Sequence, residues 1–526
     1  MKKALVLILA FAMLLAVAAG CTQPSTTAPT GTPTTGKPSG SETEAPKPAK
    51  KIVYMYPATS GGIPVDLEKV NQAVSAYAIG KINVDPTLFP VEIANYNAQA
   101  MLMITGNEDV DVMESMPGGP AHFTAMIAAN QIKDLTELGP QYAPKIAEAV
   151  DAVNPGFMAG MTVGGKVYGY PALFDKVTNY YVTIRKDVLD KYNLDLTKIK
   201  NGADLEAIVK VLAENETIPV LTAQTVDGDV LTAGNLIINY DNFADNIIVD
   251  FFGSNVYMYG AVMGEDNTKV INYYETDLFK KQVEMTRRWY EAGYINRDAA
   301  TQTEVSVQII AANGALGTLG AGELGIETSY NNRIGKEMVT VKIADGVVNS
   351  GIVQKFVWTI PVTCDEDEAA LKFLELTYTD EELVNLINYG IKDEHYVLDD
   401  QGRVSLPEGV TAQNNPYNVN SSYLFGSQYL AKVWSTDQAD LREVVKELNQ
   451  NVAVAPLMGF SVNTVPISDE IGQLRNVIDQ YRPGLVAGSS DPAVALPEFL
   501  AKLEAAGIGT VIAEVQSQVD AFVANR

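Results

Sequence analysis

The chain has 526 residues, of which 47% are hydrophobic and 19% are charged, and its formal net charge is −26. This length predicts roughly two to four domains with ample core, and the negative charge argues against binding nucleic acid or an anionic lipid surface. Cysteine occurs only at Cys21 and Cys364, and histidine only at His122 and His395. These numbers exclude a disulfide scaffold, and the spacing fits no zinc motif.

The first residues have the order of a secretory signal. Lys2 and Lys3 precede an uninterrupted apolar run over 4–19, which is short for a membrane span. The segment Ala18-Ala19-Gly20-Cys21 resembles a bacterial lipobox, although Ala18 stands where Leu or Val is usual. We therefore predict a lipoprotein signal peptide over 1–20 and a diacylglycerol on the sulfur of Cys21. An ordinary signal peptide and a retained transmembrane helix are the alternatives.

Residues 21–50 are expected to form a lipidated, disordered tether. The segment is rich in Thr and Pro and has no apolar side chain larger than Ala after Cys21. It cannot bury enough surface to offset its ordering entropy. Together with the signal it places the folded body on the extracytoplasmic face of a bacterial cell membrane, held there only by lipid. Cys364 is then left as a solitary thiol.

From residue 51 onward the pattern alternates between strands and helices. Asp66 is a candidate N-cap, and Gly164-Gly165 is a candidate hairpin turn. The alternation predicts α/β architecture with largely parallel sheets. In chain order, we predict a strand at 51–57, a helix after 66, an extended stretch at 82–93, a helix at 96–103, a strand at 110–114, a helix at 121–129, a hairpin at 161–170, a strand at 180–184, helices at 204–213 and 279–290, strands at 314–319 and 356–361, and helices at 368–386, 439–448 and 496–522.

Short segments spread over more than four hundred residues carry a resemblance to a known family. They are Met101–Ile104 with Gly106, Val110–Val112, Gly165–Pro171, Arg185–Asp187, Asp190–Tyr192, Tyr273–Thr276, Trp289-Tyr290, Gly293–Asn296, Asp298–Ala300, Gly390-Ile391, His395-Tyr396 and Asn414–Tyr417. In this order they resemble the extracellular solute-binding proteins (family 1) of ABC importers, in the lipoprotein subgroup. The tail from Pro456 resembles a C-terminal module of unknown function. Where the family commonly has Trp before the Arg-Lys-Asp segment, this chain has Tyr181 and Ile184, and Asn463 stands where Asp is frequent.

The resemblance implies a periplasmic-binding-protein-like fold of type II, with two α/β lobes joined by a hinge and a ligand cleft between them. Lobe I is expected from 51–172 and about 350–430. Lobe II is expected from 173–349 and about 431–526, including the C-terminal module from about 456. Lobe closure on a solute would shift the population toward a closed form. That form would dock on a membrane permease served by a separate ATPase.

Candidate ligand residues follow from the rule that open α/β sheets bind ligands beyond the carboxyl ends of their strands. Aromatic rings can cover the apolar face of a sugar while polar side chains bind its hydroxyls, so we predict a saccharide. The alternative for any one ring is ordinary packing in the core, with its polar atom satisfied. The candidates are Thr59, Ser60, Glu114, Ser115, Tyr170, Tyr181, Gly320, Glu323, Trp358, Tyr389, Tyr417 and Phe460.

Three functional classes stay open. A binder of saccharides is favoured over a binder of peptides or other polar solutes, because the candidate loops carry no Arg for an anionic ligand. A secreted glycosidase needs only two suitably spaced carboxylates, but no motif supports one, and we expect no enzyme activity. We predict no cofactor, no metal and no nucleic-acid partner. The chain lacks a phosphate-binding loop motif, so the ATPase must be a different chain. We expect a monomer.

Overall fold

The computed structural model describes residues 48–59, 62–225, 236–245, 247–253, 257–263, 268–419 and 421–525. Cys21, the predicted signal peptide, all but the end of the predicted tether, and Ser60 therefore lie outside the described residues. Residues Pro48–Arg526 form one compact unit. Among the helices that the structure describes, none is both long enough and apolar enough to cross a membrane.

In the segment before residue 172, strands form where apolar and polar residues alternate. Helices form where apolar residues recur every four positions. In the first helix Val70, Val74 and Ala78 are buried along one face. That helix ends at Asn83, which adopts the left-handed conformation with φ of 55° and donates its N–H to the Ile79 carbonyl. The elements are β1 (Lys50–Ala58), α1 (Leu67–Ile82), β2 (Val84–Glu92), α2 (Ile93–Gly106), β3 (Val112–Glu114), α3 (Phe123–Ala128), α4 (Leu138–Tyr142), α5 (Pro144–Asp151), α6 (Gly156–Ala159), β4 (Thr162–Val163), β5 (Lys166–Val167) and β6 (Tyr170–Pro171).

The middle segment contains a strongly amphipathic helix. Thr276 caps it by accepting a hydrogen bond from Phe279 N–H at 3.1 Å. Val283 and Trp289 are among the residues it buries. The elements here are β7 (Asn179–Arg185), α7 (Lys186–Lys191), α8 (Gly202–Asn215), β8 (Leu221–Thr222), β9 (Leu236–Ile237), β10 (Ile247–Gly253), β11 (Met258–Met263), β12 (Val270–Ile271), α9 (Asp277–Glu291), α10 (Ser306–Ala311), β13 (Gly317–Gly322), α11 (Ile326–Ile334), β14 (Met338–Ala344) and β15 (Val347–Val348).

The last segment returns to the first sheet and then forms three tail helices. The elements are α12 (Ser350–Val353), β16 (Val357–Thr359), α13 (Asp367–Thr379), α14 (Glu381–Tyr389), β17 (Val397–Leu398), β18 (Val404–Ser405), α15 (Leu441–Asn451), β19 (Ala453–Val454), α16 (Ser468–Val486), α17 (Pro492–Ala505) and α18 (Ile508–Ala524).

Three sheets organise these strands, and they are not largely parallel, so that prediction was wrong. The first sheet has the order β2-β1-β3-β16-β6, with β1 parallel to β2 and β3 but β16 antiparallel to both of its neighbours. The second has the order β14-β7-β13-β8, and only β13 and β8 are parallel. The third, β12-β11-β10-β9, is antiparallel throughout. Periodicity identifies strands without fixing their partners, and β16 arrives from a distant segment.

The described residues form five buried clusters, and the three largest divide the body. The first surrounds the first sheet and includes residues from Ile52 to Met458; we call this region lobe I. The second surrounds the second sheet, and the third joins the third sheet to the tail helices; together these form lobe II. Val347 belongs to the second cluster and its neighbour Val348 to the first. One peptide bond therefore separates the two interiors.

The chain passes between the lobes at three places, near 172–178, 345–350 and 452–458. The second and third passages pair as parallel strands, with Val347 opposite Ala453 and Val348 opposite Val454. The first is tied to the end of α15, where the Asn449 side chain accepts from Lys176 N–H at 3.1 Å. The predicted lobe boundaries place the third passage near residue 430. In the structure the chain first forms α15, and the third passage follows that helix at 452–458.

Other predictions of local structure also need correction. The single helix expected over 368–386 is two helices, because Asp380 caps α14 by accepting from Leu383 N–H at 3.0 Å. Helix α16 and the β10–β11 pair were not predicted. Asp66 precedes α1 but makes no side-chain capping hydrogen bond. The hairpin turning at Gly164-Gly165 is confirmed by the antiparallel pair β4–β5.

Candidate functional site

A cavity of about 500 Å³ opens where lobe I meets lobe II. Its size falls in the range of small-molecule sites, roughly 300–1,000 Å³. We call it the interlobe cavity. Lobe I contributes His122 and Thr124, lobe II contributes 250–253 of β10, the second passage contributes 349–352 with 354 and 355, and the tail contributes 460–462 and 464. Every wall comes from a different part of the sequence.

Asp250 supplies the one carboxylate among the described residues that line this cavity. It interrupts the apolar strand β10 and is 7% exposed. Burial raises the pKa of its carboxyl to about 6, and a backbone hydrogen bond from Leu457 lowers it. Near neutral pH the group is therefore a desolvated hydrogen-bond acceptor. Such a group gains by accepting from hydroxyls that enter the cavity.

Phenylalanine rings form the apolar part of the wall. Phe252 meets Phe460 edge to face, with ring centroids 5.4 Å apart and an interplanar angle of 81°. Phe460 also meets Phe522 with centroids 5.5 Å apart, and Phe251 meets Tyr273 edge to face at 5.2 Å. These contacts fix the rings in place before any ligand arrives. A preformed apolar surface of this kind suits the C–H face of a sugar ring.

Polar groups of the second passage face the same space. The Asn349 side chain caps α12 by accepting from Ile352 N–H at 3.0 Å, and the Gln354 amide donates to the Gly160 carbonyl at 2.8 Å. Both side chains are thus partly committed to holding the passage. Lys355 is exposed and adds a cation. Burial lowers the pKa of the His122 imidazole, which favours its neutral form at physiological pH.

Of the predicted ligand residues, Phe460 lies in this wall. Six others are buried in the part of the chain around the first sheet and do not line the interlobe cavity, so their role as solute contacts stays a prediction. Trp358 is an example: it is 0% exposed, its indole N–H donates to the Leu424 carbonyl at 2.7 Å, and its ring stacks on Tyr54 with centroids 4.3 Å apart. The six are Glu114, Ser115, Tyr170, Trp358, Tyr389 and Tyr417.

The remaining predicted residues lie apart from the cavity wall. Tyr181 and Gly320 face each other across β7 and β13, so Gly320 is not in a loop after the strand as predicted. Glu323 is exposed just beyond β13. Burial raises the pKa of Asp175 in the first passage, and the nearby charge of Glu323 raises it further. Thr59 follows β1 and hydrogen-bonds Ser421 through the two hydroxyls. None of these four lines the interlobe cavity.

Two ionisable side chains, Glu114 and Lys176, are buried beside the first passage. Glu114 ends β3 at 0% exposure, and neither of its carboxylate oxygens has a hydrogen-bond partner among the described residues. Burial raises the pKa of that carboxyl well above its usual range, and the charge of Lys176 lowers it. Lys176 belongs to the passage, is 2% exposed, and places its ammonium 3.9 Å from the Phe174 ring centroid. Burial lowers the pKa of Lys176 to about 7, together with the charge of Lys355.

One cluster among the described residues has donor atoms close enough for a metal: Asp66, Glu394 and His395. Its chemistry argues against that use. The His395 Nδ1 accepts from Ile391 N–H at 2.8 Å, so the proton of the neutral ring is on Nε2. That nitrogen faces an Asp66 carboxylate oxygen at 3.2 Å, as a donor rather than a ligand. Lys69 also pairs with Glu394. The arrangement joins the start of α1 to the loop after α14.

Sequence reasoning missed Asp250, Phe251, Phe252, His122 and Lys355. A signal was present for the first three, because a single Asp stands inside the apolar stretch Ile247–Phe252. A lone carboxylate in a buried strand is costly unless it has a partner or a role. No comparable signal marks His122 or Lys355. They reach the cavity only through tertiary folding.

Comparison with known sequences finds similarity to one uncharacterised domain family and to a transport protein. Residues 456–524 match a family described as a domain of unknown function, DUF3502. A carbohydrate ABC transporter substrate-binding protein from Streptococcus pneumoniae serotype 4 is 26% identical over 402 residues. That match covers 75% of this chain and 76% of the pneumococcal protein.

Comparison with solved structures gives the same fold, that of type II periplasmic binding proteins. The N-glycan transport solute-binding protein NgtS of Streptococcus pneumoniae superposes with a TM-score of 0.71 at 20% identity, covering 90% of this chain and 99% of that one. Its complex with Man5GlcNAc gives 0.57 at 21% identity, covering 91% and 99%. The pneumococcal substrate-binding protein FusA, as an EF-hand mutant in complex with fructo-nystose, gives 0.57 at 16% identity, covering 91% and 100%.

Proposed function

We propose that this chain is an extracellular solute-binding protein of an ABC importer and that it captures an oligosaccharide in its interlobe cavity. The observation that carries the proposal is the cavity itself. It joins both lobes and combines fixed phenylalanine rings with one desolvated carboxylate. A sugar needs both features, because it has an apolar face and a rim of hydroxyls. The related proteins named above are described as carbohydrate or glycan binders.

We further propose that the protein captures its ligand by closure of the two lobes. Ligand contacts that exist only when both lobes engage stabilise the closed form by their differential binding free energy. The paired passages β15 and β19 offer a short axis about which two separately packed interiors can rotate. The two structures of NgtS fit this chain to different extents, 0.71 and 0.57. A change in the angle between lobes has this effect on a superposition of the whole chain.

Titration calorimetry on the compact unit 48–526 tests the proposal directly. The probes are Man1GlcNAc, Man5GlcNAc, kestose and fructo-nystose, with short peptides and polyamines as controls. We expect at least one saccharide to bind and the controls to be silent. A saturating saccharide at about one hundred times its Kd adds about 2.7 kcal/mol to the free energy of unfolding. Binding of a peptide with no saccharide binding would overturn the choice of ligand.

The bound sugar should leave the protein chemically intact. The related proteins serve in transport, and the interlobe cavity holds one carboxylate among its described lining residues, whereas the usual glycosidase mechanism needs two. Chromatography of each probe after overnight incubation is the measurement. Cleavage products that scale with protein concentration would favour a secreted glycosidase instead.

A lipid on Cys21 would hold the protein at the extracytoplasmic face of the membrane, with the segment 22–50 as a leash. This proposal rests on the signal and lipobox pattern of the first residues. The leash raises the local concentration near a permease that a separate ATPase drives. We expect Cys21→Ala to release the protein into the medium. Retention of that variant in the membrane fraction would contradict the anchor.

We also propose that the protein acts as a monomer, because a leashed binding protein needs one accessible face for the permease. Light scattering of the unit 48–526 is the measurement. A mass near twice that of the chain would contradict the monomer.

A further inference from the structure

The C-terminal tail encloses a second cavity, of about 310 Å³, against β10 and β11. We call it the tail groove. Four residues line both this groove and the interlobe cavity: Phe252, Gly253, Val462 and Thr464. The two spaces are therefore neighbours along a shared wall. A ligand that projects from the cavity past Gly253 meets the groove next.

Gly253 borders both spaces. It has φ of 116°, in the region that favours glycine, and a Cβ there would lie 2.1 Å from the Tyr257 carbonyl oxygen. The backbone of β10 thus requires a residue without a side chain at this point. Gly253 therefore presents only backbone atoms to the interlobe cavity and to the tail groove.

The lining of the groove has the chemistry of a sugar subsite. Its apolar side comes from Ile467, Ile471, Val511 and Val515, and its aromatic ring from Tyr259. Arg475 stands at the same place, 4.5 Å from the Tyr257 ring centroid, and its guanidinium offers several N–H donors. The described lining residues include one cation and no carboxylate. This set suits a neutral sugar residue rather than an amine.

The walls of the groove rest on one packed core. Phe252 of β10 and Val511 of α18 belong to one buried cluster with Leu474 of α16. Helices that carry a site on such a core hold it more firmly than loops do. Little ordering entropy is therefore lost when a sugar residue enters.

We propose that the C-terminal module is a second sugar subsite, which binds residues of a glycan whose other end occupies the interlobe cavity. This inference rests on the proposed function and deepens it. The module then sets a preference for glycans long enough to reach both spaces. A monosaccharide or short disaccharide gains nothing from it.

The test compares short and long probes against a variant that fills the groove. Ser468 lines the groove and is exposed, and it does not line the interlobe cavity. Ser468→Trp therefore blocks the groove alone. Gln473→Trp is the matched control, because Gln473 is exposed on the same helix and lines neither space. Calorimetry on the unit 48–526 uses Man1GlcNAc with Man5GlcNAc, and kestose with fructo-nystose.

We expect the wild type to bind the longer member of a pair at least about tenfold more tightly. Ser468→Trp should abolish that advantage and leave the affinity for the shorter member unchanged, while Gln473→Trp changes neither. Arg475→Met should reduce the advantage without filling the groove. Equal wild-type affinities within each pair, or equal effects of the two Trp variants, overturn the subsite and leave the cavity proposal intact. A wild type that binds no saccharide overturns both.

Discussion

Glu114 of lobe I and Asp250 of lobe II are two carboxylates in similar sequence settings with different surroundings. Glu114 ends the apolar strand β3, and Asp250 interrupts the apolar strand β10. Glu114 is 0% exposed within the first sheet, whereas Asp250 is 7% exposed and borders the interlobe cavity. Burial raises the pKa of both. A buried carboxylate thus indicates a binding site only where open space adjoins it.

The largest expected effect is a loss of saccharide affinity on substitution of Asp250 but not of Glu114. Asp250→Asn removes the charged acceptor of the cavity, and a hydrogen bond to a charged group contributes about 1.5–3 kcal/mol. We expect the affinity for the best-bound saccharide to fall about 10- to 100-fold by calorimetry. Glu114→Gln is the control and should leave the affinity within about threefold. Equal losses of affinity in the two variants would contradict the assignment of Asp250, rather than Glu114, to the binding site.

For the free energy of unfolding, we expect the clearer effect from substitution of Glu114. The pKa of Glu114 is raised above the ordinary 4.5 in the folded chain. The stability associated with this group is therefore present below pH 4.5 and is lost as the pH rises. Glu114→Gln cannot ionise, so its advantage over the wild type should grow between pH 5 and 8 to about 1–3 kcal/mol. Urea unfolding at both pH values is the measurement, and a constant difference would contradict the burial argument.

Ligand affinity should itself depend on pH through Asp250. With its pKa raised to about 6 in the free protein, the carboxyl is mostly ionised at pH 7.5 and mostly protonated at pH 5. A protonated carboxyl is a poorer acceptor, so saccharide affinity should fall by up to about tenfold over that range. Asp250→Asn should show a flat profile. A wild-type profile as flat as that of the variant would remove Asp250 from the site.

The smallest effect concerns the aromatic wall. Phe460→Leu keeps an apolar side chain but loses the ring face and its edge contacts, worth about 0.5–1.5 kcal/mol. We expect a two- to tenfold loss of saccharide affinity by calorimetry. Phe522→Leu is the matched control, because Phe522 contacts Phe460 without lining the cavity. It should lower the melting temperature similarly and leave affinity nearly unchanged.

Hydrophobic periodicity predicted the helices and strands whose conformation depends only on residues close in sequence. The strand at 51–57, the helix after Asp66 and the hairpin at Gly164-Gly165 depend on residues within one turn or one strand. Strand partners depend on distant segments, so the sequence could not show that β16 inserts between β3 and β6. The resemblance to solute-binding proteins supplied the fold that periodicity could not.

The candidate site was predicted less well, for a geometric reason. Residues were chosen at the carboxyl ends of predicted strands, but Glu114 ends β3 opposite Trp358 of β16, and both side chains are 0% exposed. The cavity wall comes instead from β10, the second passage and the tail. Phe460 was found because the tail resembled a known module. Asp250 had a local signal that was not used.

The makeup of the first sheet has a consequence for biosynthesis. Its central strands β1 and β3 appear early in the chain, but β16, which separates β3 from β6, begins only at Val357. The interior of that lobe also includes Met458. A nascent chain must therefore carry its first strands without a finished sheet until most of its length has been synthesised. Such long-range assembly is slow, so partly synthesised chains of this protein should be substrates for holding chaperones and quality-control proteases.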